Sequence, residues 1–403
     1  MSNEKFKKES LLPDGWDIKK LGDVCSFTNG KAHEKNIDMQ GKYILINSKF
    51  ISSNGVKYKQ TNALLSPLFN GDIVLVMSDV PNGKALAKCF LIDEDDTYTL
   101  NQRICVIRSN KYNKQFLYYH LNRHKDLLKF NNGENQTNLR KQDILDCPLC
   151  FPPLSEQERI VGILDEAFEA IDKAKENSEQ NLKNANELFQ SKLQAIFDEG
   201  KSKVQTGEWE AKRLGDVLLK TETVNPQLTP DAEFVYLDVS CVNKETKKID
   251  STVSLLGKDA PSRARKLVKT GDVIFATVRP THGRVTIIPK ELNNQVCSTG
   301  YYVLRAKEIL TNNFVYYFIL TDEYYERMEE LQKGASYPAV TNKDVESIKI
   351  CFPKSLMQQQ QIVENLDIIS AETNKLELNY QKKIEDLEEL KTSILQKAFS
   401  GEL

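Results

Sequence analysis

Residues 16–24 read WDIKKLGDV, and residues 209–217 read WEAKRLGDV. A chain that opens twice should carry the rest of a domain twice as well, and it does, at an offset near 200. Asn70-Gly71-Asp72-Ile73-Val74 matches Thr270-Gly271-Asp272-Val273-Ile274, and Gly83-Lys84 matches Gly283-Arg284. Phe116-Leu117-Tyr118-Tyr119 matches Phe314-Val315-Tyr316-Tyr317, and Cys150-Phe151-Pro152 matches Cys351-Phe352-Pro353. Ile160-Val161 with Leu164-Asp165 matches Ile362-Val363 with Leu366-Asp367. So long a period marks a duplicated domain and not a short-repeat solenoid.

Each copy divides in two. The first part carries short β-rich runs such as GDIVLVM (71–77) and GDVIFATV (271–278), broken by Gly, Pro and Asn turns, then a helical Phe-x-Tyr-Tyr segment. This predicts a mixed α+β lobe. The second part predicts one long helix. Ser155 with Glu158, and Ser355 with Gln358, have the spacing of capping boxes. Apolar residues then recur in threes and fours. The first series is Ile160, Leu164, Ala167, Ile171, Ala174, Leu182, Ala185, Phe189, Leu193 and Ile196, with polar Ser178 inside it. The second is Ile362, Leu366, Ile369, Leu376, Tyr380, Ile384, Leu387, Leu390, Ile394 and Ala398, with polar Thr373. That spacing is a coiled-coil seam, and Gly200 and Gly401 mark the expected stops. Rods of about 44 residues would be roughly 66 Å long. Neither can bury its stripe alone, so the expectation is an antiparallel pair with one lobe at each end. The expected bounds are 1–155 and 205–355 for the lobes, 156–204 and 356–403 for the helices. A swapped or intermolecular pairing competes.

The net charge of −2 hides a pattern. Residues 1–155 carry 22 Lys+Arg against 17 Asp+Glu, and residues 209–356 carry 21 against 19. Residues 156–208 carry 7 against 12, and residues 357–403 carry 5 against 9. Positive lobes can meet phosphate, while acidic rods stand off it or bind protein. Ordinary solvated helix faces would look the same. Eight dispersed cysteines fit reduced thiols. The strongest apolar run, Phe314 to Leu320, is too short for a membrane span, and MSNEKFKKES lacks a leader's apolar core. A cytoplasmic protein is expected.

Catalytic patterns find no support. Gly200-Lys201-Ser202 has the tail of a phosphate loop without its strand or leading glycine. Phe151-Pro152-Pro153-Leu154 lacks the polar residue that begins an amino-methyltransferase motif. Pro230-Asp231 with Glu245-Thr246-Lys247 fits a loose Mg²⁺-nuclease pattern that charged chains often match by chance. Cys147 and Cys150, with His120 and His124, offer four zinc donors. Cys147 aligns with Ile348, however, so both cysteines are read as buried hydrophobes. The chain is expected to be a non-enzyme with no metal and no cofactor of its own.

The stretch FPPLSEQERIVGILD (151–165) comes after a Gly-x-x-x-x-x-Leu segment (Gly133 to Leu139). With the doubled Leu-Gly-Asp-Val openings, the paired Gly-Asp-Ile/Val strands and Ser298-Thr299-Gly300-Tyr301, it resembles the DNA-specificity subunits of type I restriction–modification systems. The likeness spans nearly the whole chain. The second copy departs from it at Phe352-Pro353-Lys354-Ser355, which lacks the second proline and the glutamate. The resemblance implies two target-recognition domains, each reading half of a split double-stranded DNA sequence. The helices would set the spacing and carry methyltransferase subunits. Methylation, translocation and cleavage, with S-adenosylmethionine, ATP and Mg²⁺, would belong to methyltransferase and restriction/translocase partners.

Candidate readers are Lys84 and Arg284 in the matched turns, Arg279 and His282 flanking the second, and Arg263, Arg265, Lys266 and Lys269 beside them. Lys57 and Lys59 stand in a comparable place in lobe one, and Asn101-Gln102-Arg103 aligns with Ser298-Thr299-Gly300. Arginine takes guanine bidentately, amides take adenine, and lysine more often finds phosphate. Tyr58 would stack on a base or pack in the core. Glu156, Gln157 and Arg159 at the helix head are the expected partner contacts. Unlike lobes predict an asymmetric bipartite target, since identical ones would prefer a palindrome. The rival readings are a coiled-coil scaffold that never touches DNA and the Mg²⁺ nuclease.

Overall fold

The computed structural model describes residues 12–80, 83–131, 133 and 135–403. The N-terminal MSNEKFKKES, considered above as a leader, lies outside them. The chain forms two compact units: residues 1–177 with 383–403, and residues 178–382. Each contains mixed α/β elements and part of both long helices, Leu154–Gln205 and Leu356–Ser400. No helix among the described residues is long and apolar enough to cross a membrane.

The Gly-Asp strands organise both units. In unit one, Ile73–Val76 lies between Ile104–Arg108 and Cys89–Leu91, antiparallel to each. All four of its residues are buried, because it separates two cores. Ile73 and Leu75 face a core containing Ile160, Leu164 and Phe168 of the first long helix. Val74 and Val76 face a second core with Phe50, Leu68 and Leu100. Successive side chains on a strand point to opposite faces, so a strand covered on both sides reads as an unbroken apolar run. Unit two repeats the plan. Val273–Ala276 lies between Tyr301–Leu304 and Val285–Ile287. Val273 and Phe275 face a core shared with Leu193, Phe197, Val363 and Leu366, while Ile274 and Ala276 face Leu237, Val268 and Tyr301. In both units a parallel pair lies beyond, Tyr43–Ile46 with Tyr98–Leu100 and Glu233–Leu237 with Gln295–Ser298. In both, the opening strand pairs antiparallel with the strand leading to the long helix, Asp17 with Phe151 and Trp209 with Pro353.

The same ties recur in both copies. Asp72 receives Arg108 Nε and Nη2 at 2.6 and 2.5 Å, and Asp272 receives Arg305 Nε and Nη2 at 2.7 Å each. Each aspartate also accepts a backbone N–H from its own turn, Phe69 at 2.9 Å and Lys269 at 2.8 Å. The Tyr119 hydroxyl donates to Asp165 of the first long helix, as Tyr317 does to Asp367 of the second.

The two long helices pair as the seam requires. In unit one Asp172 meets Lys391 at 2.8 Å, Lys175 meets Glu388, and Arg159 reaches the Leu403 carbonyl at 2.8 Å. Rising numbers on one helix meet falling numbers on the other, so the pair is antiparallel and formed within the chain. In unit two both helices feed one core.

Three details correct the sequence expectations. The first helix begins at Leu154 and not after a Ser155 cap, since the Pro153 carbonyl already accepts from Glu156 and Gln157. Ser355 does cap the second helix, accepting from Gln358 N–H at 3.4 Å. Gly200 is no stop, because the helix runs on to Gln205. A β-carbon at Gly200 would sit 2.2 Å from the Trp209 ring, so glycine there serves close packing. Finally, Leu376 and Leu390 are exposed, and the less exposed positions one residue on are Glu377 and Lys391. Lys391 lays its stem on the Phe168 ring, its ammonium 4.7 Å from the centroid, and keeps its charge on Asp172.

Candidate nucleic-acid interface

In unit two the basic residues gather on the loops and strands that cover the core on the far side of Val273–Ala276 from the long helices. They divide into those that hold the backbone and those that face outward. Arg284 holds. Its guanidinium donates to the carbonyls of Ser240, at 3.2 Å, and Val242. Lys266 also turns in, donating to the Tyr301 carbonyl at 2.6 Å with its ammonium 5.5 Å from the Tyr302 ring. Burial lowers its pKa, since desolvation penalises the charged form. Lys269 pairs with Glu222 at 2.6 Å, and Arg265 donates to the Ala264 carbonyl at 2.8 Å. Glu222, held also by Arg305 at 2.7 Å, has its pKa lowered to about 2, first by the Lys269 hydrogen bond and then by Arg305. Arg263, Arg279 and His282 are exposed.

Strand register changes one expected match. Val76 N–H donates to the Lys88 carbonyl as Ala276 N–H donates to the Arg284 carbonyl. The counterpart of Arg284 is therefore Lys88 and not Lys84, because the turn in unit one is four residues longer. Function goes with register. Lys88 Nζ donates to Ser52 O at 3.2 Å and Asn54 Oδ1 at 2.9 Å, fastening the same loop that Arg284 fastens in unit two. Lys84 stays exposed in the longer turn, as do Lys57, Tyr58 and Lys59 at the end of the neighbouring hairpin.

Asn101-Gln102-Arg103 and Ser298-Thr299-Gly300 do occupy the same place, since Val76 pairs with Ile104 and Ala276 with Tyr301. Asn101 is buried, and its Oδ1 accepts the Arg103 N–H at 3.2 Å, as the Ser298 hydroxyl accepts the Gly300 N–H at 3.2 Å. The amide expected to face adenine closes a turn. Gln102 and Arg103 are exposed, and Gln102 Nε2 lies 3.3 Å from Glu34.

At the helix head the three expected partner residues separate. Glu156 and Arg159 form a surface ion pair at 2.8 Å. Gln157 is 1% exposed; it accepts the Asn113 N–H at 2.8 Å and donates to the Pro152 carbonyl at 2.9 Å. Gln359 does the same in unit two, accepting from Thr311 N–H and donating to the Ile309 and Pro353 carbonyls. The glutamine that looked like a docking residue bolts helix to lobe.

Cys147 Sγ sits 3.3 Å from His124 Nδ1 and Cys150 Sγ 3.6 Å from His120 Nδ1, all four buried, with the two histidine rings 5.2 Å apart between centroids. Burial pushes both thiols up to about 12 and His124 down to about 4, with His120 well below its usual value. Burial thus favours the neutral form of thiol and imidazole alike. Asp231 and Glu245 stand at opposite ends of the hairpin whose strands are Glu233–Leu237 and Val253–Leu256, and Lys247 Nζ donates to the Gly283 carbonyl at 2.8 Å. Among the described residues no three His, Cys, Asp or Glu side chains form a metal-holding group.

The framework ties Asp72–Arg108, Asp272–Arg305, Tyr119–Asp165 and Tyr317–Asp367 escaped the sequence reading. Their signal was present in duplicate, as acid and arginine or tyrosine at matching places in both copies, but their pairing needs the fold.

The family model for the type I restriction modification DNA specificity domain matches twice, over residues 13–184 and 206–386. The specificity subunit of the MjaX putative type I restriction enzyme of Methanocaldococcus jannaschii is 25% identical over 99% of this chain and 97% of its own. That of the HindI enzyme of Haemophilus influenzae is 32% identical over 128 residues, 31% of this chain; the match spans only 27% of that protein's length. A solved chain from work on assembly and conformational transition of the type I R-M system has a TM-score of 0.77 and 21% identity. It covers 97% of this chain and 99% of that one, and shows a shared fold.

Proposed function

This chain belongs to the type I restriction–modification DNA specificity family, and from that premise we propose that it is the non-catalytic subunit that gives such a complex its address on double-stranded DNA. Residues 1–155 and 205–355 each read one half of an asymmetric bipartite target. Residues 156–204 and 356–403 set the gap and dock methyltransferase subunits. Restriction/translocase subunits join the same complex. S-adenosylmethionine, ATP and Mg²⁺ act in those partners, in the cytoplasm.

One observation carries this reading. The framework is duplicated to the level of single hydrogen bonds, while matched surface positions differ in charge. Met77 and Thr277 occupy the same register, their carbonyls accepting the N–H of Leu139 and Val340. Two residues on, unit one has Asp79 and unit two has Arg279. Asp79 folds its carboxylate onto the N–H groups of Val80, Ala85 and Leu86. A scaffold protein gains nothing from repeating the bolts while varying the face. A reader of two unlike half-sites needs both. The DNA-facing side chains in this account are Lys57, Lys59, Lys84, Gln102 and Arg103 in one lobe, and Arg263, Arg279 and His282 in the other. Arg284 and Lys266 spend their charge on carbonyls of the loops and strands beneath, Lys269 pairs with Glu222, Arg265 donates to the Ala264 carbonyl, and Asn101 closes its own turn.

The test is binding to duplex DNA by the chain assembled with its methyltransferase partner, as a function of salt. Neutralising several phosphates makes the affinity fall steeply, by about 10³-fold or more between 50 and 200 mM salt for six or more contacts. A flat salt response would support the scaffold. Mg²⁺-dependent cutting by the chain alone, abolished by Glu245→Ala, would support the nuclease.

A further inference from the structure

Three loops of unit two meet around residues 239–250, 278–284 and 333–340. Arg284 fastens the first to the second through Ser240 and Val242, and Lys247 does so through the Gly283 carbonyl. The second is fastened to the third by Arg279 N–H, which donates to the Pro338 carbonyl at 2.7 Å, and by the bridge between Val278 and Ala339. Left-handed backbone accumulates at this junction. Gly283 (φ 65°) and Gly334 (φ 102°) adopt it without a β-carbon. Arg279 (φ 49°) and Lys247 (φ 58°) adopt it with one, against the steric preference of L-residues.

Lys247 justifies its backbone inside the fold, because its ammonium holds the Gly283 carbonyl. Arg279 does not. Its side chain points to solvent, and its guanidinium lies over the Tyr337 ring, 5.3 Å from the centroid. Tyr337 is itself 73% exposed, so the pair is not core. A planar cation stacked on an aromatic face gives up little further rotamer freedom when it binds, and its five donors keep a fixed fork. Left-handed backbone under an outward-facing arginine that lies over an exposed tyrosine holds the guanidinium in one direction, toward solvent.

Resting on the reading of the chain as a DNA-specificity subunit, we propose that Arg279 is a base-reading residue of unit two and that Tyr337 positions it. The ligand is the major-groove edge of a guanine, whose O6 and N7 accept the guanidinium bidentately. The contact belongs to one half-site only, because unit one carries Asp79 at this register. Arg284, committed to the Ser240 and Val242 carbonyls, reads no base.

The experiment uses the full chain assembled with its methyltransferase partner and a pool of random-sequence duplexes from which bound molecules are sequenced. The wild type enriches a two-part motif with a required guanine in one half. Arg279→Lys keeps the charge but not the fork, and lowers the preference at that position by about 5- to 150-fold while leaving the other half-site intact. Arg279→Gly does the same and melts at or above the wild-type temperature, because glycine relieves the left-handed backbone; this keeps misfolding from passing as lost readout. Tyr337→Phe retains the preference, and Tyr337→Ala loses part of it. The proposal is overturned if Arg279→Lys and Arg279→Gly enrich the wild-type motif at every position, or if they weaken all sequences equally, which is a phosphate contact. A wild-type complex that enriches no sequence removes the DNA-reading premise, and the proposal with it.

Discussion

Replacing Asp272 with asparagine keeps the shape of the side chain and removes its charge. Asp272 is 1% exposed and takes two hydrogen bonds from Arg305, whose side chain is 15% exposed. The amide can still accept at Oδ1, but its NH₂ faces Arg305 Nη2, donor against donor. Breaking a buried pair and leaving the other charge costs about 3–5 kcal/mol. Glu222 keeps its 2.7 Å bond to Arg305 Nη1, so the lower end, about 3 kcal/mol, is expected here. For a unit of this size that lowers the melting temperature by roughly 6–12 °C. Asp72→Asn should cost less, because Arg108 is 38% exposed and water can take over. The chain supplies its own reporters. Trp16 lies in unit one and Trp209 in unit two, so Trp16→Phe leaves a fluorescence signal for unit two alone. Denaturation of Asp272→Asn in that background should shift the Trp209 transition by the stated amount. A shift under about 1 kcal/mol, or a larger one for Asp72→Asn read from Trp16 in a Trp209→Phe background, would refute the clamp as the strut of the Gly-Asp turn.

Further outcomes concern other positions. Burial lowers both His120 and His124, the latter to about 4, so the unfolded state takes up protons first. Their contribution is complete above about pH 6.5 and is lost as pH falls toward 4, with Asp126, 3.8 Å away, opposing and Lys125 and Lys129 assisting the loss. Unit one should thus lose stability between about pH 7 and 5 more than unit two does, read from Trp16 and Trp209, and His120→Phe should reduce the difference. Arg284→Ala should destabilise unit two by about 1.5–3 kcal/mol, the range for hydrogen bonds to a charged group, and leave the sequence preference of the assembled complex unchanged. A changed base preference with unaltered melting would return Arg284 to the readers. Gly200→Ala drives a methyl into the Trp209 ring and should cost about 1–3 kcal/mol, with altered Trp209 emission; an unchanged spectrum and melt would contradict the close approach.

The fold was largely legible because duplication prints it twice. The WDIKKLGDV and WEAKRLGDV openings, the Gly-Asp runs and the seam spacing pointed to lobes, helices and their antiparallel pairing. Detail failed where local pattern and three-dimensional register part. Gly83-Lys84 looked like Gly283-Arg284, but four extra residues in one turn move the true counterpart to Lys88. Leu376 and Leu390 looked like seam residues because they are apolar. The less exposed positions are instead Glu377 and Lys391, and the Lys391 charge escapes to Asp172. Gly200 looked like a stop because its neighbour Trp209 is invisible to helical spacing. The candidate site was legible as composition, a set of basic residues around two turns. Sorting it into inward and outward side chains was not, because a guanidinium that grips carbonyls and one that lies on an exposed tyrosine have the same letter.

The central claim is that this chain alone chooses the sequence at which its complex acts. The most direct measurement is the pattern of methylated adenines in plasmid DNA from cells that express the methyltransferase partner with or without this chain, read by single-molecule sequencing. The account predicts modification at one asymmetric motif of two unlike halves with a fixed gap, absent without the chain, and altered in one half only when residues 205–355 are exchanged for those of a relative. Methylation that persists unchanged without the chain, or a palindromic or uninterrupted motif, would contradict it.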